Sequence, residues 1–310
     1  MSGLQVISYL SIAVFPVLLI AKMVRIARMP VHLRWDLYPI PHEKGKSAYG
    51  GSYFEEVDWW TKPRVRSLIS ELREMAKEIV FIHSVYKHNR PLWVFSFPFH
   101  IGMYCLIGLM ALLVIGAIMG AAGIVVSADS ANGFAVLVQH LTRILGAAGW
   151  ILSVVGVLGL LFSRLLNREL RVATILSDYV NLLALLAVFA TGLVSWITVD
   201  PSYAIMRGFV RSLITFQPVT GLPAATATHL WLMAGLLFYF PFTHMTHMVG
   251  KYFTYHKVRW EDEPNIRGTR IEQAVQAALG YKITWSAPHI KTGSTWADAA
   301  MTTGEVKNHE

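Results

Sequence analysis

Five long apolar runs constrain this chain more than any other feature: Leu4–Met23, Trp93–Gly120, Phe134–Phe162, Ala173–Thr198 and Ala225–Val249. About 20 residues rising 1.5 Å each cross a hydrocarbon core of ~30 Å, and each run is long enough to do so. Asp, Glu, Lys and Arg are almost missing from their interiors. Lipid cannot satisfy free backbone N–H and C=O groups, so each run is expected to be a helix. The composition agrees, with 54% hydrophobic and 15% charged residues. A soluble domain carries roughly 25% charged residues, so the shortfall argues against a soluble enzyme with a solvated surface. One cysteine excludes a disulfide scaffold and any iron–sulfur cluster bound by this chain alone. The expected fold is an all-α integral membrane protein with five transmembrane helices.

The net charge of +8 raises the question of nucleic acid until the cations are placed. Thirteen of the 27 basic residues lie in 22–90, three in the turn Arg164–Arg171 and eight from Lys251 onward. If five helices alternate direction, these 24 share one side, leaving Arg143, Arg207 and Arg211 on the other. The positive-inside rule then puts the N-terminus outside and the C-terminus in the cytoplasm, in a multi-pass inner-membrane protein. The basic balance is a topology signal, and no nucleic-acid partner is expected. No basic residue precedes the first run, while Lys22, Arg25 and Arg28 follow it, which reads as a retained anchor and not a signal peptide. The expected organisation is a first helix (1–24), a cytoplasmic insertion (25–92) with an amphipathic helix, a four-helix membrane domain (93–250) and a cytoplasmic tail (251–310).

Within the insertion, the stretch Leu33-Arg34-Trp35-Asp36-Leu37-Tyr38-Pro39 is followed by Tyr49-Gly50-Gly51-Ser52-Tyr53-Phe54, an expected ordered loop. Val65, Leu68, Ile69, Leu72, Met75, Ala76, Ile79 and Val80 then recur at helical spacing, interleaved with charges. This is an amphipathic helix, read equally well as lying on lipid headgroups or as docking a cytoplasmic partner. The polar tail cannot build a large core and is expected to lie against a partner. Neither stretch has a phosphate-cradling loop or a Ser/His/Asp arrangement, and no internal repeat points to an inverted-repeat transporter.

Five of the 12 histidines fall within or at the ends of the runs: His100, His140, His229, His244 and His247. Ionisable groups in a membrane are functional candidates by default. His229 and His247 are 18 residues apart, five turns of an unbroken helix, and so would share a face ~27 Å apart. Two imidazoles at opposite depths are what a two-haem cytochrome b requires, although interhelical hydrogen bonding is the competing reading. By topology, His100 lies level with His247 and His140 level with His229. His244, nearly a turn from His247, reads as a neighbour.

The fifth run contains His229-Leu230, then Phe240-Pro241-Phe242 and His247; the second contains Phe99-His100-Ile101-Gly102. With Ser212-Leu213-Ile214-Thr215-Phe216 and Asp178, these motifs resemble the haem b (gamma) subunit of respiratory nitrate reductase over roughly 93–257. The resemblance implies a di-haem cytochrome b bundle that oxidises quinol near an outer haem and passes electrons inward to cytoplasmic redox subunits. It matches His100 and His247 to the inner haem and His229 to the outer one. The family's fourth ligand lies ten residues after the first, which here is Met110. Met110 ligates as a thioether, His140 substitutes, or the outer haem is absent; His140 is favoured because its depth matches His229. If it is not a ligand, His140 is placed to hydrogen-bond a quinone. Arg143, one turn on, is read as a haem-propionate or quinone neighbour or as a snorkelling cation. The segment 199–224, with Tyr203, Phe209 and Phe216, is read as a quinone cap or a connector.

The insertion with its Arg-Trp-Asp-Leu-Tyr-Pro opening resembles the nitrate-reductase-gamma-like cytochromes of redox complexes in sulfate reducers and other anaerobes. That resemblance implies a cytoplasmic heterodisulfide-reductase-like iron–sulfur partner, further redox subunits, two haems b and a quinone substrate, menaquinone. The expected function is quinone-reactive electron transfer in a respiratory chain. The rival is a haem-free membrane anchor or transporter subunit whose histidines tie helices together.

Overall fold

The computed structural model describes residues 1–30, 40–288 and 290–301. The motif Leu33–Pro39 lies outside them. Among the described residues every regular element is a helix, apart from isolated bridges in the tail. Five helices are long and apolar enough to cross a membrane: Gly3–Ala27, Arg90–Ala121, Gly133–Leu166, Leu176–Thr198 and Ala224–Phe242. The fold class expected from the apolar runs is thus the observed one.

In chain order, α1 (Gly3–Ala27) is followed by α2 (Leu68–Val80), α3 (His83–His88), α4 (Arg90–Ala121), α5 (Gly133–Leu166), α6 (Arg168–Ala173), α7 (Leu176–Thr198) and α8 (Ala204–Ile214). The chain then continues through α9 (Ala224–Tyr239), α10 (His247–Thr254), α11 (Arg270–Leu279) and α12 (Trp296–Met301). Contacts group these into two compact units: 1–20 with 75–246, and 21–74 with 247–310.

In the membrane unit, α4 packs along α5 and α8, α5 along α7, and α7 along α9. Lipid is as apolar as leucine, so close backbone approach between small residues holds such helices together. The α4–α5 seam is built that way. A Cβ added at Gly102 would lie 2.5 Å from the Ser153 backbone nitrogen, and one at Gly156 2.5 Å from that of Phe99. Leu109, Leu113, Trp150, Val157, Leu185 and Phe189 fill the centre. Polar side chains tie α1 to the rest: Gln5 Nε2 donates to the Gln217 carbonyl at 2.7 Å, and Ser11 Oγ to that of Ala234 at 2.8 Å.

The fifth run departs from expectation. It is not one helix to Val249: α9 gives way to a 3-10 turn at Phe240–Phe242, and Thr243 is extended (φ −97°, ψ 169°). A second 3-10 turn, His244–Thr246, precedes α10. Pro241 has no N–H to donate, and its ring clashes with the carbonyl four residues back. Thr243 then uses its hydroxyl to bond the Phe240 carbonyl at 2.8 Å and to accept from Met245 N at 3.1 Å, stabilising the break. The five-turn, one-face argument linking His229 and His247 therefore does not hold.

In the second unit, the tail is covered by the insertion of its own chain. Asp262, 2% exposed, accepts from His42 Nε2 at 2.8 Å and from Arg64 at 2.6 Å. Glu43 accepts from Ser52 Oγ at 3.0 Å and Tyr53 N at 2.8 Å, so the loop expected at 49–54 is ordered around a buried carboxylate. Burial pushes the Tyr53 hydroxyl up to about 12.

Candidate haem site

One imidazole in the membrane unit is completely buried. His229 sits on the inward side of α9 with Thr226 and Ala234 and has no exposed surface. Its Nδ1 lies 3.1 Å from the Val188 carbonyl on α7 and 3.5 Å from Thr191 Oγ1. A carbonyl can only accept, so Nδ1 carries the proton and Nε2 keeps its lone pair. That Nε2 is buried and has no hydrogen-bond partner. Leaving such an atom unsatisfied is unfavourable by about 1–3 kcal/mol, and a bond to a metal ion removes the penalty. The Trp150 indole stands edge-on to the ring, centroids 5.1 Å apart at 87°. A Cβ at Gly192 would meet that indole at 2.6 Å, so the small residue makes room for it.

His100, half-buried on α4, shows the same second-nitrogen arrangement. Its Nδ1 donates to the Ser96 carbonyl one turn earlier, at 2.7 Å. Histidines that ligate metals characteristically donate the other ring N–H in this way, fixing tautomer and orientation. The His229 imidazole, with its fixed tautomer and orphaned, buried Nε2, fits a bond to haem iron.

The other candidates are placed differently. His247 opens α10 in the second unit and is exposed. Met110 is 43% exposed on α4. His140 and Arg143 are exposed on α5, whose buried positions at this level are Val138, Gln139 and Thr142. Among the described residues neither makes a hydrogen bond or ion pair. The structure thus does not set either Met110 or His140 into the enclosed surroundings of His229. His244 reaches Asp178, Nε2 to Oδ1 at 3.1 Å, while Asp178 caps α7 by accepting from Ile175 N at 3.0 Å. Nearby, Tyr239 Oη donates to Asn181 Oδ1 at 2.9 Å.

At the far end of the unit, α8 covers the bundle. Arg207, 8% exposed, donates to the Val126 carbonyl at 3.0 Å and to Gln139 Oε1 at 2.6 Å. It lies against Gly116, where a Cβ would come within 2.8 Å of its Nε. A cleft of about 350 Å³ opens beside it, lined by Gly116, Gly120, Val126, Arg207 and Arg211. Of the residues expected to cap a quinone, Tyr203 and Phe209 are buried in the packing, and Phe216 is exposed and stacked on Tyr9 at 5.7 Å. Arg207 entered the sequence reading only as a topology marker. The signal available for it was the pair Gly116 and Gly120, one turn apart on the helix it leans on.

A family model described as nitrate reductase gamma subunit matches residues 83–261, more than half of the chain. The chain belongs to that family. It is therefore a multi-pass membrane protein of the haem-b electron-transfer class, from a family whose members sit in redox complexes with other subunits. The match covers α3 to α10 and includes both motif-bearing helices, with His100 on α4 and His229 on α9. No curated protein and no solved structure matches the chain.

Proposed function

We propose that this nitrate-reductase-gamma-family chain carries electrons between the membrane quinone pool, as menaquinone, and a cytoplasmic heterodisulfide-reductase-like iron–sulfur subunit of a respiratory complex. The observation that carries the reading is the buried, unpartnered Nε2 of His229, whose ring is held from the other side by the Val188 carbonyl. The basic residues support an inner-membrane topology with the N-terminus outside and the C-terminus cytoplasmic.

Two haems b are assigned. His100 and His247 are the proposed ligands of the inner one, on the Nδ1–Ser96 bond of His100 and the family register of His247. His229 holds the outer one opposite His140, with Met110 as the competing ligand. Haem, when bound, supplies a one-electron carrier. Everything else falls to the chain. The Val188 carbonyl keeps His229 in the ligating tautomer, and Trp150 fixes the ring plane and excludes water. The cleft at Arg207 and Arg211 is the proposed quinone site, where guanidinium N–H groups would supply donors to the carbonyl oxygens. Quinol oxidation releases two protons as well as two electrons, and His140, exposed on the neighbouring helix, is the proposed proton acceptor if Met110 ligates. Arg143 stands one turn on as the cation for a propionate or quinone oxygen.

The test is reduction of the purified chain, reconstituted in liposomes, by a water-soluble menaquinol analogue followed in the Soret and α bands. The account expects reduction that slows at least tenfold in Arg211→Ala while haem content is unchanged. A chain that folds without a Soret band is a haem-free anchor, and the proposal fails.

A further inference from the structure

Helix α2 is turned inside out. At 100° per residue, Leu68, Ile69, Leu72, Met75, Ile79 and Val80 fall within an arc of about 140°. On a water-soluble surface that arc would pack inward, yet here it faces out: Ile69 is 81% exposed, Leu68 66% and Leu72 58%. The acidic side faces in, in both halves of the helix. Glu71 takes ion pairs from His256 and, at 3.6 Å, from His42. Glu78, 8% exposed, accepts from Ser84 Oγ at 2.5 Å. Arg73 borders the apolar arc, is exposed and has no acidic partner among the described residues. Apolar residues outside, a cation at their edge and acids folded away form the charge pattern of a helix lying on an anionic membrane surface.

The end of the helix is pinned to a membrane-spanning one. Tyr104 Oη on α4 donates to the Ile79 carbonyl at 2.7 Å, and Trp93 Nε1 donates to that of Phe81 at 2.8 Å. Tyr and Trp sit at headgroup level, where an apolar ring meets a polar tip. On the same helix Val94, next to Trp93, and Ile107, one turn after Tyr104, are exposed. The last turn of α2 therefore sits beside an outward-facing apolar stretch of a helix long enough to span a membrane.

We propose that α2 is an interfacial helix, with Leu68, Ile69 and Leu72 in the acyl boundary and Arg73 among lipid phosphates. Its partner is an anionic lipid surface; a cytoplasmic protein is the rejected alternative. The bound lipid would hold α2 at the level of the headgroups, a role separate from haem binding.

The experiment places nitroxide labels at Ile69→Cys, Leu72→Cys and Arg73→Cys in a Cys105→Ala background of the full chain. Labelled protein is studied in liposomes with and without phosphatidylglycerol and in native membranes. Accessibility to oxygen should exceed that to a water-soluble nickel chelate at 69 and 72 and approach equality at 73. Arg73→Glu should lift the label at 69 toward water in phosphatidylglycerol liposomes and leave it unmoved in neutral ones. Free access of the nickel chelate at 69 and 72 would overturn the proposal. So would labels at 69 and 72 that are immobile and shielded from both relaxants in native membranes, which is the signature of a protein partner. Haem content in all variants is expected to equal that of the parent, so failure here is distinct from failure of the redox reading.

Discussion

Gly156→Ala is the substitution whose effect follows most directly from the packing. A Cβ at position 156 would sit 2.5 Å from the backbone nitrogen of Phe99, where ordinary contact begins at 3.4 Å. The shortfall is 0.9 Å (3.4 minus 2.5), and the obstacle is main chain, which cannot swing aside as a side chain does. α4 must therefore move off α5 by that order of distance. The residue after Phe99 is His100, so the shift falls on a proposed haem ligand. Overpacking of this kind is destabilising by about 1–3 kcal/mol. The assay is reversible unfolding in mixed micelles, read by circular dichroism, with haem content measured on the same samples. Gly235→Ala is the control: nothing lies within 4 Å of its Cβ, so removing a helix-interior glycine should stabilise by about 0.5–1 kcal/mol. If Gly156→Ala unfolds within 0.5 kcal/mol of the parent and retains full haem, to the order of precision of such values, the close seam is not what positions His100.

Other outcomes follow from the same coordinates. Arg207→Ala strands Gln139 Oε1 and the Val126 carbonyl beneath α8, and should lower stability by about 2–4 kcal/mol in the same unfolding assay. Asp178→Ala loses the bond to Ile175 N at the start of α7, a change of about 1 kcal/mol. His244 is well exposed, so Asp178→Asn, which removes the charge opposite it, should add almost nothing further. In the second unit, burial works to lower the His42 pKa, but the Asp262 hydrogen bond and the charges of Asp262, Glu71 and Glu43 win and raise it above 6.5. Burial works to raise that of Asp262, and the His42 hydrogen bond, the His42 charge and Arg64 win and lower it below 3.8. A raised histidine pKa stabilises at low pH and ceases to as pH rises through the folded value; a lowered carboxylate pKa stabilises above 3.8 and ceases to as pH falls through its own. Tryptic cleavage at Arg259 and Arg267 should therefore accelerate as pH climbs past 6.5 through the His42 value, and Asp262→Asn should flatten that dependence.

The spanning helices were legible because lipid leaves the backbone no alternative to helix, so length and apolarity are sufficient. The break in the fifth run is less legible, because a proline inside an apolar run is compatible with a kinked spanning helix as well as with a break, and the Thr243 hydroxyl bonds that stabilise the break appear only in the fold. The periodicity of α2 marks which residues share a face but not which face is covered; that depends on Glu71 meeting His42 and His256, far away in the chain. The same holds for Asp262 and His42, 220 residues apart, for which no local pattern exists. His229 was a candidate from spacing and motif. Its tautomer and its orphaned Nε2 come only from the neighbouring helix that supplies the Val188 carbonyl.

The central claim is that His229 bonds haem iron, and it is tested most directly by a pyridine haemochrome count on the purified chain beside His229→Ala, Met110→Ala and His140→Ala. The account predicts two haems b in the parent, one in His229→Ala, and one in whichever of the other two variants removes the opposite ligand. A well-folded His229→Ala protein that retains both haems would contradict it.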